Sequence, residues 1–491
     1  MTDLTDEQKS RMEKLQKIKD AGMVPYAERY ERTHYCDQAV ELDEGTTGVK
    51  VAGRIMAIRK FGKLMFGHIQ DSSGRIQFAL QKNELGESFA LFKSIIDIGD
   101  FIGIEGDVIT TRTGEKTINT GTWTFLSKAL RGLPEKWHGL TNLETRHRQR
   151  HLDMIMNPEA KERFEKRAAV VSSLRRFLED NAFIEVDTPV LQTKPSGALA
   201  KPFMTHHNAY DMDVYLRIAP ETYLKRAVAG GLERVYEFAR CFRNEGLDPS
   251  HLQDFTLLEY YAAYWNYEDN MDFTEKLIRH AVSVFTGGEA RITFRDNEID
   301  FSGAWPRISF TDLIKKDCGI DLNEHETAES LLEEIRGNNI ELEEDADRLK
   351  KLGKGPLADL LYKKVSRPGI VNPVFVTDHP IELSPLARKN DKNGYLTDRF
   401  QLVVCGWEIV NAYSELVDPV DQRQRFEDQM AAREKGDDEA MVLDEDFLLC
   451  MEHGMPPISG WGLGVDRFVA LLTGQENLRE TILFPLMKPE S

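Results

Sequence analysis

Residues 233–265, ERVYEFARCFRNEGLDPSHLQDFTLLEYYAAYW, restrict the fold more than any other stretch. Two long β-rich runs flank a polar loop containing Gly246 and Pro249, which reads as an antiparallel hairpin. Beyond it, helices alternate with strands joined by hairpin-like connections, which points to an α+β fold and away from a doubly wound parallel sheet. Side chains two apart on a strand share a face. Arg243 and Glu245 therefore point together, and Phe255, Glu259 and Tyr261 form a row on the partner strand. Arginine suits a phosphate or carboxylate held by two parallel hydrogen bonds, and Phe offers a flat apolar surface to a purine. The hairpin alone leaves two readings open, a nucleotide site and a half-exposed ribbon with ordinary ion pairs.

Two further stretches bear on that choice. Residues 460–474, GWGLGVDRFVALLTG, set Gly460, Gly462 and Gly464 on alternate positions before an apolar-periodic helix that begins near Asp466. Glycines let another group approach the backbone, and Arg467 at a helix start adds its charge to the positive end of the helix dipole. Residues 405–416, CGWEIVNAYSEL, place Glu408, Asn411 and Glu415 in an apolar context, where a carboxylate needs a cation or metal as partner.

The first part of the chain is of another kind. From 50 to 133, five short β-rich runs broken by Gly and Asp suggest a small barrel, most commonly an oligonucleotide-binding OB-fold. Such barrels stack bases on exposed aromatics beside a basic groove. Phe66 and Gln77 are the candidates, with Arg59, Lys60 and Lys63 nearby, against the alternative that Phe66 is core. Residues 7–20 place Met12, Leu15 and Ile18 three apart among five basic side chains, a short amphipathic helix that either docks by its stripe or faces RNA. The expected division is an N-terminal helical extension over 1–45, a barrel domain over 46–133, a linker over 134–150 and a second domain over 151–491. The basic run ETRHRQRH inside the linker is open between a solvated face and phosphate contact. An acidic helical insertion near 321–351 carries no chemical signal, and disorder is expected only there and at the ends.

Lys and Arg total 63 against 82 Asp and Glu, net −19, which argues against whole-surface attraction to nucleic acid or anionic membrane. Residues 1–140 are neutral, with 20 side chains of each sign, and the barrel span 50–133 holds 12 basic and 8 acidic residues. The acidic excess belongs to the second part. The five cysteines show neither CxxC nor Cys/His ligand spacing, so no disulfide framework or zinc site is suggested and a reducing cytoplasm is expected. No run approaches the ~18 uncharged apolar residues of a membrane span. The polar start MTDLTDEQKS does not resemble a signal peptide.

FIEVDTPVL at 183–191, CFRNEG through DFTLLEYY, and GLGVDR, in this order, resemble the three class-defining motifs of class II lysyl-tRNA synthetases. THHNA, YLRIAPETYLKR and GDDEAM…DEDF are further phrases of that family, and the resemblance runs from about residue 8 to 489. It implies an OB-fold anticodon-binding domain followed by a catalytic domain, an antiparallel sheet flanked by helices, in a homodimer with Pro189 at the interface. It also implies a two-step reaction. Lysine and ATP give lysyl-adenylate and pyrophosphate, and the terminal ribose hydroxyl of tRNA(Lys) then takes the lysyl group.

The resemblance further assigns residues. Arg243 would hold the α-phosphate and the lysine carboxylate, Phe255 and Glu245 would meet adenine, and His251 and Arg467 would lie at the γ-phosphate. Glu408, with Gln401, would ligate Mg²⁺, of which the family uses up to three ions. Gly197 and Glu221 would meet the α-amino group, Asn411 the carboxylate, and Glu259, Glu415 and Tyr261 the ε-ammonium, with Tyr413 in the same site where Phe is usual. Phe66 and Gln77 would take an anticodon base. Aspartyl and asparaginyl relatives share the motifs, but a substrate carboxylate needs a cationic pocket, and Glu259 with Glu415 supplies the opposite charge. Departures from the family pattern are Ser250, Leu252, Gln253 and Asp254 in a loop that usually reads Arg-His-Asn-Pro-Glu, Gln401 for a Glu, Lys201 for an Arg, and Trp461 for a Leu. Thr122 stands where an anticodon-domain Glu is common in that family.

Overall fold

The structure is a computed structural model that describes residues 4–134, 140–198, 200–246, 248–434 and 441–490, without the side chains of 432–434. It divides into two compact units, Met1–Thr141 and Asn142–Ser491. In the first, strands Val49–Phe61, Leu64–Gln70, Arg75–Gln81, Phe101–Thr110 and Lys116–Ser127 close a barrel in the order first, second, third, fifth, fourth. Alternation decides what fills it: Met65 and Ile69 turn inward with Ile76, Phe78 and Leu80, while Phe66 and His68 stay half-exposed outside. A helix that the strand pattern does not disclose, Glu87–Ile95, adds Phe89, Phe92 and Ile95 to the barrel core.

The leading helix, Asp6–Asp20, starts at a Thr5–Gln8 capping box and docks by Leu15 and Ile18. Met12, expected in the same stripe, is exposed, and Arg11 takes its place by donating to the carbonyls of Ile98 and Ala129. Lys14 pairs with Asp97 at 2.5 Å. The docked reading of this helix therefore holds for two of its five cations.

The second unit is built on an eight-stranded sheet with the spatial order Arg307–Ser309, Val374–Thr377, Arg399–Val404, Trp407–Ser414, Ile458–Gly464, Asp254–Ala263, Arg234–Phe242, Ile184–Glu185. The six inner strands pair antiparallel and only the outermost strand on each side pairs parallel, as an α+β fold requires. Helices Pro158–Asp180 and Tyr267–Thr286 pack one face of the sheet, where Val170, Leu174, Leu178, Leu277, Ile278 and Ala281 meet Leu258, Tyr260, Trp461 and Leu463. Asn266 caps the second helix through the amides of Glu268 and Asp269, and Gly287 ends it in the left-handed conformation. The opposite face of the sheet is left to line a cavity.

Two expectations change here. Residues 142–150 belong to the second unit, where the basic run forms the helix Leu143–Arg148 and opens the helix Arg150–Met156. Its charges are turned inward: Glu480 accepts from Arg146 at 3.1 Å, His147 at 2.7 Å and Arg163 at 2.6 Å, and Arg150 holds Asp153 at 2.6 Å. For Arg146, His147 and Arg150 this buried ion cluster replaces both a solvated face and a phosphate contact, while Arg148, paired with exposed Glu144, and exposed His151 keep the solvated face. Residues 135–139, the middle of the expected linker, lie outside the described residues. The acidic insertion is folded: Leu331, Leu332, Ile335 and Leu349 share a separate core with Phe310, Leu313, Leu357 and Tyr362. Among the described residues no helix is long and apolar enough to cross a membrane.

Candidate active site

The open face of the sheet carries a cavity of about 350 Å³. Phe255, Leu257, Glu259 and Tyr261 line it as one alternate row of the strand Asp254–Ala263, while Leu258, Tyr260 and Ala262 of the other row are in the core. Gly460, Gly462 and Gly464 line it from the neighbouring strand, whose Trp461 fills the core and stacks on Tyr260 at 4.7 Å. Glu408 and Asn411 are three apart, which on a regular strand would send them to opposite faces. A bulge opposite Leu402/Val403 shifts the register by one residue, so both line the cavity. Cys405 and Gly406, both at positive φ (47° and 71°), form the two-residue turn of that hairpin.

One end of the cavity is acidic. Glu259 is buried, and its hydrogen bond there is from the Tyr261 hydroxyl at 3.1 Å. Burial, and then the charge of Glu221, pushes its carboxyl up to about 8. Glu415 lies deeper, its Oε1 without a hydrogen-bond partner and its Oε2 in an ion pair with Lys225. Lys225 is fully buried and also reaches Glu221 Oε1 at 2.5 Å, an oxygen that accepts from the Tyr413 hydroxyl at 2.7 Å. Two glycines are required here. A Cβ on Gly460 would stand 2.1 Å from Glu415 Oε1, and Gly197, at φ +90°, would bring one to 3.1 Å from Glu221 Cβ.

The other end is basic. The Arg243 guanidinium lies 5.0 Å over the Phe255 ring, with a buried Nε that has no hydrogen-bond partner among the described residues. Arg467 donates to the Glu408 carbonyl at 2.8 Å and the Ser250 carbonyl at 3.4 Å. Burial pulls its guanidinium below the ordinary range, a shift that an anion would reverse. Asp466 ties this helix start to the neighbouring strand by accepting the Thr256 N–H at 2.7 Å. In the altered loop, Asp248 holds the Ser250 hydroxyl at 2.8 Å and the His251 ring at 2.7 Å, and Asp254 pairs with Arg240 at 2.6 Å. Gln253 closes the loop by accepting the Arg243 N–H at 2.8 Å. Gln401 donates its amide to Glu408 Oε2 at 2.8 Å, and Asn411 accepts from Arg399 at 2.8 Å. Among the described residues no three His, Cys, Asp or Glu side chains gather as metal ligands.

Residues 142–488 match the family model for class II tRNA synthetases (D, K and N), and residues 49–126 match that of an OB-fold nucleic-acid-binding domain. Curated relatives named lysine–tRNA ligase include one from Pelotomaculum thermopropionicum, 46% identical over 99% of this chain and 96% of its own. Others are from Enterococcus faecalis, 43% identical over 99% and 98%, and Carboxydothermus hydrogenoformans, 45% identical over 98% of each. The chain belongs to the class II lysyl-tRNA synthetases.

For this synthetase, Gly197, Glu221, Arg243, Glu245, His251, Phe255, Glu259, Tyr261, Glu408, Asn411, Tyr413 and Arg467 all line the one cavity. Glu415 and Gln401 stand one contact behind it, on Lys225 and Glu408. Of the phrase GDDEAM, residues 436–440 lie outside the described residues, and Met441 lines the cavity. Lys225 went unnoticed in the sequence, although its place four residues after Glu221 on the helix Glu221–Ala229 is the spacing of a helical ion pair. In the first unit, Phe66 is no core residue. Its ring meets exposed Phe61 edge-on at 6.3 Å on the barrel's outer surface. Beside it, His68 and Gln77 face each other across two strands and share Glu115, at 2.7 and 2.6 Å. Glu115 is thus the acid of this surface. Thr122 lies opposite Glu105 on another strand pair.

Proposed function

We propose that this protein is a lysine–tRNA ligase that activates L-lysine with ATP and transfers it to the terminal ribose of tRNA(Lys). The observation that carries this reading is Glu259, a buried carboxylate without a cation of its own, facing Arg243 along one cavity. A substrate ε-ammonium supplies the missing charge, and Glu415 and Tyr261 complete its surroundings. A neutral amino acid brings no cation to Glu259 and gains none of the pairing that favours lysine, and wherever the carboxyl is ionised it leaves that charge unpaired. Glu221 and the backbone at Gly197 receive the α-amino group, and Arg243 with Asn411 the carboxylate.

Activation joins a carboxylate to an α-phosphate, two negative groups, so its catalysis is positioning and charge stabilisation. The unpartnered Arg243 Nε suits both anions. Phe255 stacks on adenine beside Glu245, and Arg467, anchored on two carbonyls, meets the γ-phosphate with His251. Glu408 lines the cavity and would hold a Mg²⁺ ion through its carboxylate, whereas Gln401 stands behind it with its amide N–H turned to Glu408 Oε2 and would orient that carboxylate. Such an ion neutralises phosphate charge.

The barrel, residues 46–133, serves as the anticodon-binding domain, with Phe66 as stacking platform and Gln77, His68 and Glu115 reading base edges. Exposed Ile184, Val190, Leu191 and Met204 around Pro189 fit a surface covered by a second copy, giving a homodimer that works in the cytoplasm.

Lysine-dependent ATP–pyrophosphate exchange, with the other amino acids as controls, tests the activity. Silence with lysine at ample Mg²⁺ would overturn it. Glu259→Gln is expected to weaken lysine binding and spare ATP binding, and equal loss of both would contradict the ε-ammonium assignment. Sedimentation velocity reads the dimer.

A further inference from the structure

Three buried carboxylates gather at the acidic end, Glu221 and Glu259 lining the cavity and Glu415 directly behind them on Lys225. The lysine reading, on which this inference rests, brings two ammonium groups to them. One carboxylate is left over, and the protein supplies its partner from within. We propose that Lys225 is a specificity-determining positioning residue that neutralises one of the three negative charges, so that the pocket is balanced by a ligand carrying two ammonium groups.

The geometry supports a role beyond that of a helical ion pair. Such pairs sit on helix surfaces, whereas Lys225 is fully buried, with its ammonium 5.6–6.0 Å from the ring centres of Tyr261, Tyr413 and Phe447. It bridges two acids from separate parts of the chain, Glu221 at 2.5 Å on its own helix and Glu415, which follows the strand Trp407–Ser414. Each acid is thereby held towards the cavity, and Gly460 leaves room for the Glu415 carboxylate. A lysine suits this place because it is a point charge on a rotatable stem, and a planar guanidinium is not. The titratable and charged groups around it are Glu221, Glu415 and the phenols of Tyr261 and Tyr413, with Glu259 and Arg243 beyond. Burial raises the Glu415 carboxyl well above its ordinary value even with the ammonium beside it; Lys225 opposes that shift, and Glu221 and Glu259 add to it.

The experiment measures lysine-dependent pyrophosphate exchange from pH 6 to 9.5, and lysine and ATP binding by calorimetry, for wild type, K225M, K225R, E415Q and K225M/E415Q. K225M should raise the KM for lysine by roughly two orders of magnitude while the affinity for ATP stays within about twofold. The acid limb of its kcat/KM profile for lysine should move to higher pH, because the Lys225 ammonium also lowers the Glu259 carboxyl, which must lose its proton to pair with the ligand. K225R should keep the wild-type limb. The double variant restores two carboxylates for two ammonium groups, so its KM should be no higher than that of K225M. A K225M profile with an unmoved limb, equal loss of lysine and ATP binding, or a double variant showing the product of the single losses would each overturn the proposal. If K225M does not fold, the comparison of E415Q with the double variant and with K225R decides in the same way. Wild-type exchange that answers to another amino acid defeats the ligase reading itself. Lysine-dependent wild-type activity with any of the overturning results defeats only the role of Lys225.

Discussion

Glu259 in the free pocket holds a proton at neutral pH, because burial and the charge of Glu221 push its carboxyl up to about 8. On the proposed assignment an arriving ε-ammonium favours the carboxylate, so lysine binding should release that proton. The sign follows: affinity for lysine should rise with pH towards about 8 and level off above it, until the lysine side chain itself loses its charge near 10.4. Calorimetry in buffers of different ionisation enthalpy at pH 7 should find close to one proton released, and a pH-independent affinity between 6 and 8 would contradict the assignment. Gly460 makes a second prediction at this scale. Gly460→Ala would place a Cβ 2.1 Å from Glu415 Oε1 and 2.4 Å from Tyr261 Cε1, both on buried side chains that cannot move aside cheaply. The KM for lysine should rise on the order of tenfold or more in the exchange assay, with ATP binding changed much less.

Among elements, the segment 142–156 is fastened to the rest of the second unit through Glu480. Burial opposes the ionised form of this carboxyl, but His147, Arg146, Arg163 and Arg150 outweigh it and bring it down to about 2. A depressed carboxyl stabilises the fold above its unfolded value near 4.5 and loses that contribution as pH falls from there towards 2, about 3 kcal/mol in all. Glu480→Gln should therefore lower the calorimetric Tm of the second unit at pH 7 by several degrees, and the gap from wild type should narrow in acid. On the barrel, Phe66→Ala should weaken tRNA charging and leave pyrophosphate exchange unaltered, since its ring lies on the outer surface of a separate compact unit. The legible part of the structure was the part set by local periodicity. Alternation placed Phe255, Glu259 and Tyr261 in one row, and the barrel's strands announced themselves in the same way. The inward turn of Arg146 and His147 is not legible in the basic run, because their partner, Glu480, comes 333 residues after His147. The bulge that aims Glu408 and the burial of Lys225 arise from packing, and neither leaves a mark in spacing.

For the whole molecule, the charge reading is sharper than the net −19. The run at 146–150 and Arg11 and Lys14 of the leading helix are engaged within their own units, which removes them from the stock of phosphate contacts expected from sequence. tRNA binding should then rest on few cations, and log affinity against log salt should fall with a slope of roughly −2 to −4, read by filter binding; a slope near −10 would demand a far larger basic surface. The protonated pocket also bears on substrate choice. The penalty that excludes an uncharged side chain exists only while Glu259 is ionised at the moment of choice. With that carboxyl raised to about 8, an apolar analogue of lysine's length meets a largely neutral carboxylic acid already near pH 7, and lysine itself must first displace a proton. Discrimination against uncharged analogues should therefore sharpen as pH rises through about 8.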